Sequence, residues 1–288
     1  MAGAGAIAFS GKAIIVKLAY RYGVDAVTLI MFRMLFALPI FAAMAWWASR
    51  GKPPLARRDW LGVVGLGISG YYLASFLDFA GLQYITASLE RLIVYLTPTI
   101  VLLLGWLLYR KGFTTPQLVG MAISYAGVLL VFGREIGTVG PDAGWGALLV
   151  FASTVSYAVY LVYSGELVQR LGSLRLVGLA TSVACLCCML QFVLLRPLSA
   201  ALLVAPQVVW LSVLNATLCT AVPVLLVMMA IERIGSSLAA QTGMIGPVAT
   251  ILMGVVFLGE PFTDWIAAGT VLVIAGIYVF TRTAGGRP

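Results

Sequence analysis

The sequence contains no histidine and few charged residues. Among its 288 residues, Asp, Glu, Lys and Arg together make up 10%, against about 25% in an average soluble domain. The absence of histidine removes the commonest general base and the commonest metal ligand. The four cysteines lie in apolar segments without a second Cys or His pair, and we interpret them as small buried side chains: Cys185, Cys187, Cys188 and Cys219. We therefore expect no metal site, no cofactor and no disulfide framework.

Two further classes are disfavoured by missing motifs. Lys and Arg outnumber Asp and Glu by 18 to 10, but they form no cluster with interleaved aromatic residues, so no nucleic-acid partner is predicted. A nucleotide-binding P-loop is also missing, which argues against direct ATP hydrolysis. What the chain has in abundance is apolar residues, at 62% with a mean hydropathy of +1.05. This composition is typical of an all-α integral membrane protein in a lipid bilayer.

Ten apolar runs of about 20 residues, the length that crosses the hydrocarbon core, are separated by short turns. We predict transmembrane helices near 3–21, 26–48, 60–80, 85–108, 115–133, 145–164, 174–195, 207–230, 235–258 and 264–281. No basic region precedes the first apolar run, so it is predicted as a span rather than a signal peptide. No soluble domain fits between the spans.

Loop charges predict the orientation of these spans. With a cytoplasmic N-terminus, the inner loops and tail hold eleven basic residues and the outer loops hold three. The inner set is Arg50, Lys52, Arg57, Arg58, Arg110, Lys111, Arg170, Arg175, Arg233, Arg282 and Arg287, and the outer set is Arg21, Arg134 and Arg196. Cytoplasmic loops carry an excess of Lys and Arg. Both termini are therefore predicted to be cytoplasmic, in a multi-pass protein of the bacterial inner membrane.

The chain also matches itself at a constant offset of 149 residues. The pairs in register include Pro98 with Pro247, Gly105 with Gly254, Gly120 with Gly269, and Gly127 with Gly276. The match divides the protein into two repeats of five spans, residues 1–134 and 143–283. Because five is odd, the second repeat enters the membrane inverted. Inverted repeats are common in secondary transporters, whose substrate site lies near the midplane between the repeats.

The two prolines of this repeat occupy equivalent places in the fourth and ninth spans. Proline leaves the carbonyl four residues back without its helical partner, here those of Val94 and Gly243. Within a membrane such groups must be buried in protein or line a cavity. We predict that Pro98 and Pro247 mark a helix kink or gate, the alternative being that they only bend helices for packing.

A family resemblance is carried by three stretches: AIIVKLAYRYGVDAVTLIMFRMLFALP, GLQYITASLERLIVYLTPTIVLLLGWLL and GSSLAAQTGMIGPVATILMGVVFLGEPFTDWIAAGTVLVIAGIYV. They resemble EamA-type carriers of the drug/metabolite transporter superfamily, and the resemblance covers essentially the whole chain. It implies ten spans in two inverted five-helix repeats and transport of small metabolites such as amino acids. One departure is Glu260 in LGEPFT, whose repeat mate is Lys111 in YRKGFT.

Charged side chains fall inside the predicted spans at one depth in the outer half: Lys17, Arg33, Asp78, Glu90 and Arg91. Intramembrane charges usually face the bundle interior and pair. Adjacent residues on a helix point about 100° apart, so Asp78 is expected to pair with Arg91, and Lys17 or Arg33 with Glu90. A substrate carboxylate could balance the surplus positive charge. Glu90 or Asp78 could carry a coupled proton, because burial favours a neutral carboxyl group. A static ion-pair cluster is the alternative, and the role of Lys12 stays open between facing the cavity and snorkelling.

Polar and aromatic side chains on other spans extend the candidate cavity. In the sixth span their spacing places them on one helical face. The further substrate-binding candidates are Tyr71, Ser75, Tyr95, Ser156, Tyr157, Tyr160 and Gln241. The alternative is that these hydroxyl groups only join helices.

Together these features favour a secondary transporter that exports small metabolites, such as amino acids or related amphiphilic solutes, by alternating access. A channel-like uniporter is the alternative. A membrane-embedded enzyme is less well supported, because it needs clustered catalytic groups at one depth and only Ser10 and Lys17 offer a pair. The chain is therefore predicted not to be an enzyme, and its oligomeric state is left open.

Overall fold

The computed structural model describes residues 2–109, 114–224, 226 and 246–284, which form helices and short connections without a β-strand. The helices are α1 (Ala2–Tyr20), α2 (Ala26–Ser49), α3 (Arg57–Leu66), α4 (Ala74–Gly81), α5 (Ala87–Val94), α6 (Thr97–Tyr109), α7 (Thr115–Val139), α8 (Ala143–Leu171), α9 (Ser173–Leu195), α10 (Ser199–Leu202), α11 (Pro206–Ala216), α12 (Gly246–Met253) and α13 (Asp264–Ala284). Three π-helical segments extend them: Gly67–Leu73 joins α3 to α4, Thr217–Ala221 follows α11, and Gly254–Leu258 follows α12.

Among the described residues, seven helical segments are long and apolar enough to cross a membrane. They are Ala26–Ser49, Arg57–Gly81, Ala87–Leu108, Thr115–Gly133, Ala143–Ser164, Ser173–Leu195 and Pro206–Val224, with shorter apolar helices at Ala249–Leu258 and Asp264–Val279. Their outer faces are apolar: Leu107, Leu129 and Leu194 are 68%, 63% and 72% exposed. Exposed leucine on long helices suits contact with lipid tails. The prediction of an all-α, multi-pass membrane protein is confirmed, and parts of the predicted eighth and ninth spans lie outside the described residues.

The fourth predicted span is interrupted rather than continuous. The α5 helix ends at Val94 and α6 begins at Thr97, so Pro98 is the second residue of α6. That position tolerates proline, since the first backbone N–H groups of a helix have no intrahelical acceptor. The hydroxyl group of Thr97 donates to the Val94 carbonyl, and that of Thr99 donates to the Leu96 carbonyl at 2.6 Å. The predicted orphan carbonyl at Val94 is thus satisfied by a neighbouring threonine.

Close packing of helix backbones occurs at glycines, and these contacts recur in pairs. A Cβ atom added at Gly127 would lie 2.7 Å from the Gly269 carbonyl oxygen, and one added at Gly276 would lie 2.5 Å from that of Gly120. The two contacts join α7 to α13 and are offset from each other by 149 residues. Glycine permits this approach because a side chain would occupy the space that the opposing backbone fills.

A second pair of contacts and a pair of π-helical segments follow the same offset. Gly11 faces the sulfur of Cys219, and Gly70 faces the ring of Tyr160, positions that exchange when shifted by 149. The π-helical segments Gly67–Leu73 and Thr217–Ala221 also occupy equivalent positions of the two halves.

Candidate functional site

Four buried charged side chains meet where α1, α4 and α5 pack together. The Lys12 Nζ atom lies 2.6 Å from Asp78 Oδ2 and 3.5 Å from Glu90 Oε1. The Arg91 Nε atom lies 3.7 Å from Glu90 Oε2. None of the four side chains is more than 9% exposed. We call Lys12, Asp78, Glu90 and Arg91 the charged cluster.

Lys12 is the cation that joins the two carboxylates, and the expected pairing of Glu90 with Lys17 is wrong. Lys17 donates instead to the carbonyl oxygen of Leu82 at 3.2 Å. The two lysines are five residues apart on α1, about one and a half turns, so Lys17 lies nearer the helix end while Lys12 reaches the level of Glu90 and Asp78. Lys12 does not snorkel to the surface, because its ammonium group contacts both carboxylates and its side chain is 9% exposed.

The expected pair of Asp78 with Arg91 is also not formed. Arg91 approaches Glu90, its neighbour in sequence, at a distance within ion-pair range but too long for a hydrogen bond. Adjacent Cβ atoms diverge on a helix, but the long, flexible side chain of arginine lets its guanidinium group fold back toward the preceding residue. The ring of Phe9 lies 5.6 Å from the Arg91 guanidinium and 5.5 Å from Lys12 Nζ, within range for cation–π attraction.

Several polar atoms of the charged cluster have no hydrogen-bond partner among the described residues. They are Asp78 Oδ1, both carboxylate oxygens of Glu90, and Arg91 Nε and Nη2. A buried polar group left without a partner costs about 1–3 kcal/mol, and more when it is charged. The cluster therefore offers both acceptors and donors to a small polar molecule.

Arg33 lies in a neighbouring polar group between α2 and α11 and does not pair with Glu90. Its Nε atom donates to Thr220 Oγ1 at 3.1 Å, and its guanidinium lies 5.1 Å from the Phe79 ring. Thr220 belongs to the π-helical segment and donates to the carbonyl of Asn215 at 2.8 Å. Arg33 Nη1, both amide atoms of Asn215 and the hydroxyl of Ser212 are buried without a partner in the described structure. The sequence prediction missed Asn215 and Ser212, although an asparagine within an apolar span was a usable signal.

Three predicted tyrosines form an aromatic group between α8 and the π-helical segment Gly67–Leu73. The Tyr71 and Tyr160 rings meet edge to face at 5.2 Å, with their hydroxyl oxygens 3.3 Å apart, and the Tyr157 ring stacks on Tyr160 at 5.6 Å. The Tyr160 ring packs against Gly70. The repeat offset relates this contact to Gly11 and Cys219, beside the charged cluster.

The remaining candidates are distributed around these groups. Ser156 donates to the Ser69 carbonyl at 2.8 Å, so its hydroxyl joins α8 to the π-helical segment. Ser75 is half-buried on α4. A Cβ at Gly246 would collide with the Tyr95 hydroxyl, which places Tyr95 against α12. Gln241 and Gly243 lie outside the described residues, and Pro247 is the second residue of α12.

Comparison with known proteins adds the family context. The sequence model of the EamA-like transporter family matches residues 1–133 and 144–282. The chain is similar to the uncharacterized transporter YcbK of Bacillus subtilis (strain 168), with 30% identity over 275 residues, 89% of this chain and 83% of the relative. It is also similar to an uncharacterized transporter of Archaeoglobus fulgidus, with 24% identity covering 95% and 93% of the two chains. A protein of known crystal structure shares the fold, with a TM-score of 0.65, 22% identity and coverage of 99% and 98%.

Proposed function

Because the chain belongs to the EamA-like transporter family, we propose that it is a secondary transporter that exports a small zwitterionic or anionic metabolite, such as an amino acid, by alternating access. It has membrane-spanning helices, and its family acts on small molecules. The charged cluster is the proposed substrate site, with Arg33, Tyr71, Tyr157 and Tyr160 in the surrounding wall.

The observation that carries this proposal is the set of buried charged-cluster atoms that make no hydrogen bond within the described residues, although some of them lie within ion-pair distance of each other. A substrate ammonium group fits the oxygens of Asp78 and Glu90 that accept no hydrogen bond. A substrate carboxylate fits Nε and Nη2 of Arg91, which donate no hydrogen bond, because a planar guanidinium binds carboxylates by two hydrogen bonds. A zwitterion would therefore satisfy donors and acceptors at once. In a static ion-pair cluster, by contrast, these atoms would be expected to form hydrogen bonds with one another.

Alternating access is supported by the paired contacts of the two halves. The contacts Gly127–Gly269 and Gly120–Gly276 exchange under the 149-residue offset, as does the placement of two π-helical segments. Ten spans arranged as two inverted repeats, 1–134 and 143–283, would produce such pairs around an approximate two-fold axis in the membrane plane. Rocking the other spans of the two repeats against each other about the α7–α13 contact would then expose the charged cluster to each side in turn.

A proton is the proposed coupling ion. Glu90 is fully buried, and Lys12 is its shared partner with Asp78. A proton leaving Glu90 or Asp78 would free the carboxylate that the ammonium group of the substrate then contacts. Exchange of substrate for protons across the inner membrane, with both termini cytoplasmic, would couple export to the proton gradient.

Uptake into proteoliposomes tests the proposal. Radiolabelled amino acids are supplied with and without an imposed pH gradient, and counterflow is measured with unlabelled substrate inside. A carrier accumulates label by exchange and responds to the gradient. Linear, non-saturating flux without counterflow would instead support the channel-like uniporter, and no flux of any zwitterion or carboxylate would overturn the substrate class.

Arg91→Ala is the matching variant. We expect it to lower transport at least tenfold, a larger loss than that in the yield of folded protein. The control is Arg196→Ala, because Arg196 is 44% exposed and its 3.3 Å pair with Asp25 lies at the surface, where ion pairs contribute about 0–1 kcal/mol. If Arg91→Ala lowers the yield of folded protein as much as it lowers transport, the charged cluster is only a static ion-pair cluster.

A further inference from the structure

The first turn of α5, which carries the charged cluster residues Glu90 and Arg91, is capped from a distant part of the chain. Glu260 Oε1 accepts from the Ala87 backbone N–H at 2.8 Å. Glu260 Oε2 accepts from the Ser88 N–H at 3.3 Å and from the Ser88 hydroxyl at 2.7 Å. The first N–H groups of a helix have no intrahelical acceptor, so a carboxylate at this end provides partners and also suits the helix dipole.

The rest of the α5 N-terminus is satisfied locally. Thr86, the N-cap residue, accepts from the Leu89 N–H at 3.1 Å through its hydroxyl oxygen. The Glu90 N–H donates to the Thr86 carbonyl at 3.1 Å. The N–H groups of Ala87 and Ser88 are thus the two that depend on Glu260. If Glu260 moved away, they would require water, because an unpaired N–H group is costly in an apolar region.

Two glycines shape the chain so that Glu260 can reach α5. Gly259 has φ +70°, a left-handed conformation that glycine adopts without strain, and it turns the chain at the end of the π-helical segment. A Cβ at Gly254 would lie 2.8 Å from Glu260 Oε2, so the carboxylate occupies space left free by that glycine. The Glu260 N–H donates to the Gly254 carbonyl at 3.2 Å. The stretch GVVFLGE is therefore folded around this carboxylate.

The capped end of α5 borders a cavity of about 450 Å³. The cavity is lined by Lys17, Tyr20, Arg21, Ile85, Thr86, Leu258 and Glu260. Arg21, at the end of α1, donates to the Leu258 carbonyl at 2.6 Å. Glu260 and Arg21 thus fasten the same loop to α5 and α1.

The other repeat does not contain the residue needed for an equivalent cap. The 149-residue offset places Lys111 at the position of Glu260 and Arg110 at that of Gly259, both outside the described residues. An ammonium group has donors and no acceptor, so the side chain of Lys111 could not accept from backbone N–H groups. The cap is therefore a chemical difference between the two halves.

We propose that Glu260 is a positioning residue for transport, a latch that holds the N-terminus of α5. In this role it prevents the cavity beside α5, which we call the Glu260 mouth, from opening toward the charged cluster. This proposal rests on the transporter function, because only in a transporter would the cavity be an entrance for substrate. Release of Glu260 separates α5 from the 258–263 loop, hydrates the freed N–H groups of Ala87 and Ser88, and opens the cavity toward Glu90 and Arg91.

Thiol labelling tests the latch without any substrate. The reporter is Ile85→Cys, since Ile85 lines the cavity and is fully buried, in a background with the native cysteines replaced by alanine. Protein in nanodiscs exposes both membrane faces, so a water-soluble maleimide gives a rate that does not depend on orientation. We expect Glu260→Ala to label about tenfold faster than the parent, a ratio equivalent to about 1.4 kcal/mol.

The control is Asp264→Asn, because Asp264 is an exposed carboxylate in the first turn of α13, four residues further on, and it should leave the rate unchanged. Glu260→Gln keeps one acceptor oxygen and should give an intermediate rate, which also provides the test if the alanine variant does not purify as folded protein. Unchanged labelling in both Glu260 variants, or an equal increase in Asp264→Asn, would overturn the latch. A labelling increase in protein that transports nothing would leave the latch intact and refute the transport function.

Discussion

Lys12 provides the sharpest test of the charged cluster, because one ammonium group serves two buried carboxylates. Its Nζ atom lies 2.6 Å from Asp78 Oδ2 and 3.5 Å from Glu90 Oε1. Lys12→Met keeps much of the apolar length of the side chain and removes the charge. Two carboxylates then share a buried region in which Arg91 remains within ion-pair distance of Glu90, at 3.7 Å.

The expected loss of stability follows from this geometry. Removing one partner of a buried ion pair typically costs about 3–5 kcal/mol, since an uncompensated charge is left behind. At roughly 2–4 °C for each kcal/mol in a chain of comparable size, Tm should fall by about 6–20 °C. The assay is thermal unfolding of the purified protein in detergent. Lys52→Met is the matched control, because Lys52 is exposed in a turn and surface changes usually stay within about 0.5 kcal/mol.

A double variant separates charge imbalance from simple loss of packing. Lys12→Met combined with Asp78→Asn removes one charge of each sign, so the pair should lose less stability than the sum of the two single variants. Strict additivity, or a Lys12→Met protein as stable as the parent, would show that the ammonium group is not what holds the two carboxylates in place.

Three other predictions test the helix packing and the topology. Gly127→Ala and Gly276→Ala should each lower the free energy of unfolding by about 1–3 kcal/mol through overpacking. Gly65→Ala is the control, because Gly65 has open space around it and its replacement should not destabilise the protein. Equal Tm values for all three variants would contradict the paired contacts. Pro98→Ala and Pro247→Ala should change thiol labelling of the Glu260 mouth in opposite directions, tenfold for each 1.4 kcal/mol, and a shift in the same direction would mean that both prolines serve packing only. A reporter active only in the periplasm, fused to the C-terminus, should be silent; activity would reverse the predicted topology.

Much of the helical architecture could be predicted because apolar length is a local property. Runs of about 20 apolar residues place the second and seventh spans at 26–48 and 174–195, and the structure has helices at Ala26–Ser49 and Ser173–Leu195. The shared depth of Asp78, Glu90 and Arg91 also follows from counting residues inward from the turns. Depth alone, however, leaves the rotation of each helix undetermined.

The partners within the site could not be predicted because rotation and tilt are fixed by packing. Lys17 and Lys12 both lie on α1, and only the contact of α1 with α4 and α5 selects Lys12. Glu260 was noticed only as a difference from Lys111. Its contact with Ala87 spans 173 residues and depends on the left-handed turn at Gly259, which no periodicity reports. The π-helical segments have no distinct sequence pattern, and the Arg33–Thr220 contact depends on one of them.

The glycine contacts between α7 and α13 also fix a reference distance for spin-label measurements. The backbones touch at Gly127–Gly269 and again at Gly120–Gly276, two points about 10 Å apart along the helices. Because the two helices touch at two separate points, they cannot slide or rotate relative to each other without losing one of these contacts. Spin labels placed on these two helices should therefore keep a constant separation throughout the transport cycle. That separation provides an internal reference distance, relative to which movement of α5 or of the 258–263 loop can be measured.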